Sequence, residues 1–264
     1  MSAFGLSGDG RTVVGCSPPY KSGDTEARKP CAWNAKTGIR QLELADFDEG
    51  AATAASKDGH AIVGWVSQGK GVEERNYIAY WNPKLTVVST QSYCLPLASR
   101  FPSVSVDGKW VVGECQSKAF KWSIETGLQF LPPLDSAHTR STAVSVSNDG
   151  STVLGASSRG EIPKQLEKAR RCPSVFDIRG TEAYEACVWK DGRVVGLGRT
   201  KGSDWSRPEG MTEDGEIVAG NLIYDVGLKP FVWTRLSGRT ILADLPGHST
   251  RADSIHRPGA FRSG

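Results

Sequence analysis

The chain is poor in methionine and histidine, with 2 and 4 in 264 residues. It has no apolar window of about 18 residues, the length a spanning helix needs. Its opening, MSAFGLSGDGRTVVG, has neither the basic start nor the apolar stretch of an export signal. No membrane span and no signal peptide are therefore expected in this chain. Charge of one sign is also lacking: 32 basic residues face 29 acidic ones, a net of +3. No overall field draws such a protein to nucleic acid or to an anionic membrane. A Gly-rich phosphate loop, a His-Glu-x-x-His and a Gly-x-Ser-x-Gly are all missing. His60, His138, His248 and His256 do not stand at metal-ligand spacings with one another or with cysteine, so neither metal nor cofactor is expected.

Glycine and tryptophan are plentiful, at 30 and 8, and 38% of the residues are hydrophobic. That bias favours turns and aromatic-packed sheets, hence an all-β fold. Five segments align without a gap: SGDGRTVVG, SKDGHAIVG, SVDGKWVVG, SNDGSTVLG and TEDGEIVAG. Each has Ser or Thr two residues before Asp9, Asp58, Asp107, Asp149 or Asp214, then Gly, a β-branched or small apolar run, and a second Gly. Asp-Gly between such runs predicts a two-residue hairpin of type I′, with the hydroxyl holding the turn closed. An aromatic strand follows each hairpin and carries Trp33, Trp81, Trp122, Trp189 or Trp233; a second turn and a fourth strand come next. A single four-stranded sheet cannot bury both its faces, so copies must stack. The expectation is one domain, a β-propeller of about five four-stranded blades. The units are about 1–49, 50–99, 100–139, 140–204 and 205–250, and 251–264 is an incomplete sixth unit or tail.

The pattern Ser-x-Asp-Gly-x-x-Val-Val-Gly, followed by AFKW, TGLQFL and ADLPG, resembles the bacterial HAF-type extracellular repeat family over nearly the whole chain. The resemblance implies a propeller-like repeat protein, secreted or at the cell surface. The abrupt start, and HRPG in the tail where Ser-x-Asp-Gly is expected, raise a truncated gene product without independent function as an alternative.

The small residues of each first strand suit the innermost position around a channel. That phase puts the Asp-Gly turns on one rim and the loops of variable length on the other, where a rigid scaffold usually binds. Arg100, Arg140, Arg207 and Arg251 each stand in a blade-to-blade linker shortly before the inner strand, with His138 and His248 preceding two of them. Guanidinium forks suit carboxylate, sulfate or phosphate, which makes these six the candidate ligand-binding residues; local ion pairing is the competing reading. The turn aspartates are structural, and no catalytic residue is assigned. A glycan-active hydrolase or lyase is the rival function, but it needs two carboxylates at the channel, and the inner-strand segments offer Glu209 alone. The basic insertion EIPKQLEKARRC in the fourth unit reads as a charged solvated loop or a short helix.

Cys16 and Cys31 flank the variable loop of the first unit, and Cys172 and Cys187 flank that of the fourth. Bridging either pair would stiffen a loop in an oxidising setting, with Cys94 and Cys115 as a third pair; buried free thiols are the alternative. The resulting expectation is a non-catalytic, monomeric propeller that binds a protein, glycan or anionic ligand. An extracellular location follows from the resemblance, and a cytoplasmic one from the missing export signal.

Overall fold

The computed structural model describes residues 1–17, 27–69, 74–88, 102–159, 184–198, 203, 205–224 and 227–243. Among them are twenty strands in five four-stranded antiparallel sheets, each numbered outward in chain order. Sheet one holds β1 (Ser2–Leu6), β2 (Thr12–Ser17), β3 (Lys29–Asn34) and β4 (Gly38–Gln41). Sheet two holds β5 (Glu49–Ala55), β6 (Ile62–Gln68), β7 (Arg75–Trp81) and β8 (Leu85–Val87). Sheet three holds β9 (Ser103–Val104), β10 (Val111–Cys115), β11 (Lys118–Ser123) and β12 (Gly127–Phe130). Sheet four holds β13 (Arg140–Val146), β14 (Thr152–Ser158), β15 (Tyr184–Lys190) and β16 (Arg193–Gly196). Sheet five holds β17 (Trp205–Met211), β18 (Ile217–Tyr224), β19 (Gly227–Thr234) and β20 (Gly238–Ile241). No helix among the described residues is long and apolar enough to cross a membrane.

The first strands neighbour one another in succession, β1 with β5, β5 with β9, β9 with β13 and β13 with β17. The fourth strands face outward and are largely exposed, as in β4 and β20. This is the radial order of a propeller. Four of the first strands carry the same irregularity where the sequence alternates poorly: the register slips at Ala3/Gly5, Ala52/Ala54, Ala143/Ser145 and Pro208/Gly210. Each slip is a bulge that bends the innermost strand. The core lies between sheets. Val14, Ala32 and Leu42 of sheet one meet Ile62, Ala79 and Trp81 of sheet two, and the other junctions repeat that layer. Two indoles also bond across a junction, Trp81 Nε1 donating to the Glu43 carbonyl and Trp189 Nε1 to that of Pro132, both at 2.7 Å.

The repeated turn is wider than a two-residue hairpin. Ser7 N–H donates to the Thr12 carbonyl and Gly10 N–H to the Ser7 carbonyl, so residues 8–11 form the loop, and the other four copies repeat both bonds. Only the glycine takes positive φ; the aspartate does not. The reason is the carboxylate's occupation. Asp9 Oδ1 accepts the Ser7 hydroxyl at 2.6 Å and the Arg11 N–H at 3.0 Å, which fixes the Asp backbone in an ordinary turn conformation. The expected type I′ Asp-Gly turn does occur, but at Asp191-Gly192, where both residues have positive φ and Lys190 pairs with Arg193.

The proposed bridges of the first and fourth units do not form: Cys16, Cys31 and Cys187 are buried thiols. In the ladder Cys31 lies opposite Gly15 and Cys16 opposite Pro30. A one-residue offset puts the two thiols on opposite faces of the sheet. Burial, and secondarily its neighbour Cys16, pushes the Cys31 thiol up to about 11, and burial pushes Cys187 well above the ordinary range. Cys115 is disulfide-bonded. Cys94 and Cys172 lie outside the described residues.

Candidate functional site

The two rims are built differently. On the turn rim every aspartate is bound by its own loop: Ser56, Ser105, Ser147 and Thr212 donate to Asp58, Asp107, Asp149 and Asp214 as Ser7 does to Asp9. The Ser hydroxyl bond, followed by a backbone N–H, draws the Asp58 and Asp149 carboxyls down to about 2. Three of the four pairs of neighbouring turns are joined by main chain. Asp9 N–H donates to the Lys57 carbonyl, Lys57 N–H to that of Val106, and Asn148 N–H to that of Glu213, each at 2.9 Å. Side chains add to this belt: Tyr80 Oη and Lys121 Nζ donate to the carbonyls of Gly108 and Gly150 in the following turns. Two clefts open between sheets here. One of about 530 Å³ lies over Trp81 with Arg40, Asp58 and His60 on its walls; the other, about 390 Å³, lies over Trp189 with Lys121 and Lys190.

On the opposite rim the links between second and third strands are unequal, spanning 18–28, 69–74, 116–117, 159–183 and 225–226. Arg140 opens β13 and Arg207 lies within β17, so both belong to strands rather than to linkers. Each is held by an acid. Arg207 reaches Glu209 at 2.7 Å, and Asn221 donates to the same carboxylate oxygen at 2.9 Å; Arg140 lies 3.6 Å from Glu114 of sheet three. His138 is buried, with Nδ1 2.8 Å from Asp135, whose other oxygen takes Arg159 at 3.2 Å. The His138 bond foremost brings the Asp135 carboxyl down to about 2. Arg100, Arg251 and His248 lie outside the described residues.

A further ion pair at this rim has no signature in the sequence. Arg28 binds Glu49 through two nitrogens at 2.8 and 3.1 Å, and its guanidinium sits 4.8 Å from the centre of the Trp65 ring. Burial works to raise the Glu49 carboxyl, but the Arg28 bonds outweigh it and leave the group below its ordinary value. Serines complete the junctions: Ser141 Oγ accepts the Ala119 N–H and Ser206 Oγ the Ala186 N–H, each from the preceding sheet at 2.9 Å. The variable rim is therefore a mosaic of compensated charge, with 30% of the Arg140 side chain and 32% of Arg207 still reachable by solvent. Among the described residues no three His, Cys, Asp or Glu side chains are grouped to hold a metal.

No protein-family profile and no curated protein sequence matches the chain. Solved structures do. The propeller domain of the Trilobed protease from Pyrococcus furiosus, described as having an open velcro topology, aligns with TM-score 0.51 at 13% identity, covering 92% of this chain and 72% of that one. Dipeptidyl peptidase 4 from Porphyromonas gingivalis aligns with TM-score 0.56 at 11% identity over 91% of this chain and 39% of its own. TolB from Acinetobacter baumannii gives 0.48 at 14% identity, with 87% of this chain and 50% of TolB covered. The fold is a β-propeller. This chain spans half of that TolB and well under half of the peptidase.

Proposed function

We propose that the chain is a non-catalytic binding propeller that engages a protein or glycan through its variable rim, outside the cell or at its surface. The observation that carries this reading is the asymmetry of the rims. Five near-identical turns, interlocked by main-chain bonds, leave no room for change on one side, while connections of widely different length share the other. The rival glycan-cleaving role needs one carboxyl to protonate a leaving oxygen and another to attack or activate water. The two inner-strand acids are both engaged as structural ion pairs, Glu209 by Arg207 and Asn221 and Glu49 by Arg28. The disulfide at Cys115 supports an oxidising location, as does the resemblance to the HAF-type repeats.

Immobilised heparin, polygalacturonate and xylan, together with the secreted proteins of the native host, serve as probes for the test. Binding should be lost when 160–183 is replaced by a short Gly-Ser link and retained when the exposed turn-rim residues Lys57 and Lys109 become Ala. Release of reducing ends from any of the polysaccharides, or binding indifferent to the loop replacement, would overturn the reading.

A further inference from the structure

The junctions between consecutive sheets follow one scheme four times. A third-strand tryptophan joins a hydrophobic cluster shared with the preceding sheet: Trp81 with Val14 and Leu42, Trp122 with Val63 and Val88, Trp189 with Val112 and Leu131, Trp233 with Leu154 and Leu197. The turn glycine of the later sheet rests at the same time on the residue three after the aspartate in the earlier one. A Cβ on Gly59, Gly108, Gly150 or Gly215 would collide with Thr12, Ala61, Trp110 or Thr152 respectively.

Half of this scheme is left over at each end of the row. Trp33 is 39% exposed where Trp81, Trp122 and Trp189 are 1%, 5% and 3%, and Ile39, paired with it across the ladder, is 57% exposed. Gly10 has no atom within 4 Å of where its Cβ would be. At the far end Leu242 repeats the bond made by Leu42, Val88 and Leu197, its N–H donating to a third-strand carbonyl. Yet Leu242 is 41% exposed and the other three are 3%, 5% and 4%. Ile217, three residues after Asp214, is 40% exposed.

We propose that these two faces are docking surfaces for a further four-stranded sheet of the same repeat, carried in the same polypeptide and lying between sheets five and one. The occupant has to offer a tryptophan and a turn glycine to Leu242 and Ile217. To Trp33 and Gly10 it has to offer an aliphatic face and the residue three beyond an aspartate. A Ser-x-Asp-Gly sheet bears both sets on its two sides, as sheets two, three and four do. Covalent succession favours the same chain as its source: each existing junction is reached by running straight from a fourth strand to the next first strand, as from Gln41 to Glu49 and from Phe130 to Arg140. The sequence that follows sheet five, RADSIHRPG at 251–259, has the small and apolar spacing of a first strand. The surface is continuous with an interface already formed four times.

The test compares the 264-residue chain with the same chain extended at its C-terminus by a copy of residues 49–99. Acrylamide quenching of Trp33 is isolated by subtracting the Trp33→Phe variant of each protein, mass in solution is read by light scattering, and deuterium exchange is followed over residues 30–41. The extended protein should be monomeric, quench Trp33 several-fold less, protect 30–41 and melt at a higher temperature, and Leu242→Asp should abolish those gains. Equal quenching and exchange in the two proteins would overturn the proposal, as would gains that survive Leu242→Asp. A parent chain that dimerises with Trp33 already protected would assign the surface to a second copy and overturn it as well.

Discussion

Gly108 and Gly10 occupy the same place in the repeat, with φ of +80° and +74°, and differ only in what surrounds them. An alanine at either position is forced into the left-handed region, at about 1–2 kcal/mol. At Gly10 that is the whole cost, because the new methyl meets open space. At Gly108 the methyl would sit 2.6 Å from the Cβ of Ala61 in the preceding sheet and 3.4 Å from that of Ser56. Ala61 is buried and has no rotamer with which to withdraw, so the sheets must separate slightly, an overpacking penalty of about 1–3 kcal/mol. Gly108→Ala should therefore destabilise by about 2–5 kcal/mol and Gly10→Ala by about 1–2. Urea unfolding followed by tryptophan fluorescence measures both. Ala61→Gly in the Gly108→Ala background should restore most of the excess, since the two methyls are the clashing pair. Equal losses at the two glycines, or no coupling between positions 61 and 108, would refute the assignment of the turn glycine to inter-sheet packing.

Acid should loosen the turn belt within a defined window. With folded-state values of about 2, Asp58 and Asp149 contribute stability that is complete above the ordinary aspartate pKa near 4 and is lost as pH falls from about 4 toward about 2. Asp149→Asn should lower stability at neutral pH and flatten the acid limb of the unfolding midpoint; an unchanged limb counts against the belt. Glu209→Ala removes an acceptor from Arg207 and from buried Asn221, and should cost about 2 kcal/mol by thermal or urea unfolding, with Glu209→Gln costing roughly half as much. If the Gln and Ala variants are equally stable, the carboxylate is not holding that junction. Cys16, Cys31 and Cys187 should resist a thiol reagent at pH 8 and react once guanidinium unfolds the protein, giving at least three thiols without reductant; a count of zero would contradict the ladder register of β2 and β3.

The five-fold motif was legible because its columns are local: hydroxyl, carboxylate and glycine act within one loop, so spacing alone announces them. The radial order was legible for a similar reason, since small residues in each first strand match the crowding near the axis. What the sequence hid depends on partners far along the chain. Trp33 carries the same signature as Trp81 yet is 39% exposed where Trp81 is 1%. Arg140 meets Glu114 only because sheet three lies beside sheet four. The Cys16–Cys31 bridge failed on a one-residue register that spacing cannot reveal, since a pair flanking a loop looks the same whether the thiols share a face or not. Asp-Gly alone does not distinguish a two-residue hairpin from a wider loop; the hydroxyl two residues upstream is the deciding signal, absent at Asp191-Gly192 where the tight turn forms.

That upstream hydroxyl also explains why variation collects on one rim. A change in the Ser-x-Asp-Gly loop of any of sheets two to five reaches two sheets at once: its main chain bonds to a neighbouring turn, and its glycine touches the residue three beyond the previous aspartate. Lengthening such a loop would break bonds in both sheets. On the opposite rim the ladders end before the connections begin, at pairs such as Ser17 with Lys29 and Ser158 with Tyr184. Residues inserted beyond those pairs break no inter-strand bond, and the added cost is loop-closure entropy, about 0.6 kcal/mol per doubling of length. The same scaffold can then carry a two-residue link at 116–117 and a long one at 159–183 without disturbing its junctions. Physical tolerance and the proposed place for recognition thus coincide on the rim where the Arg–Glu pairs stand.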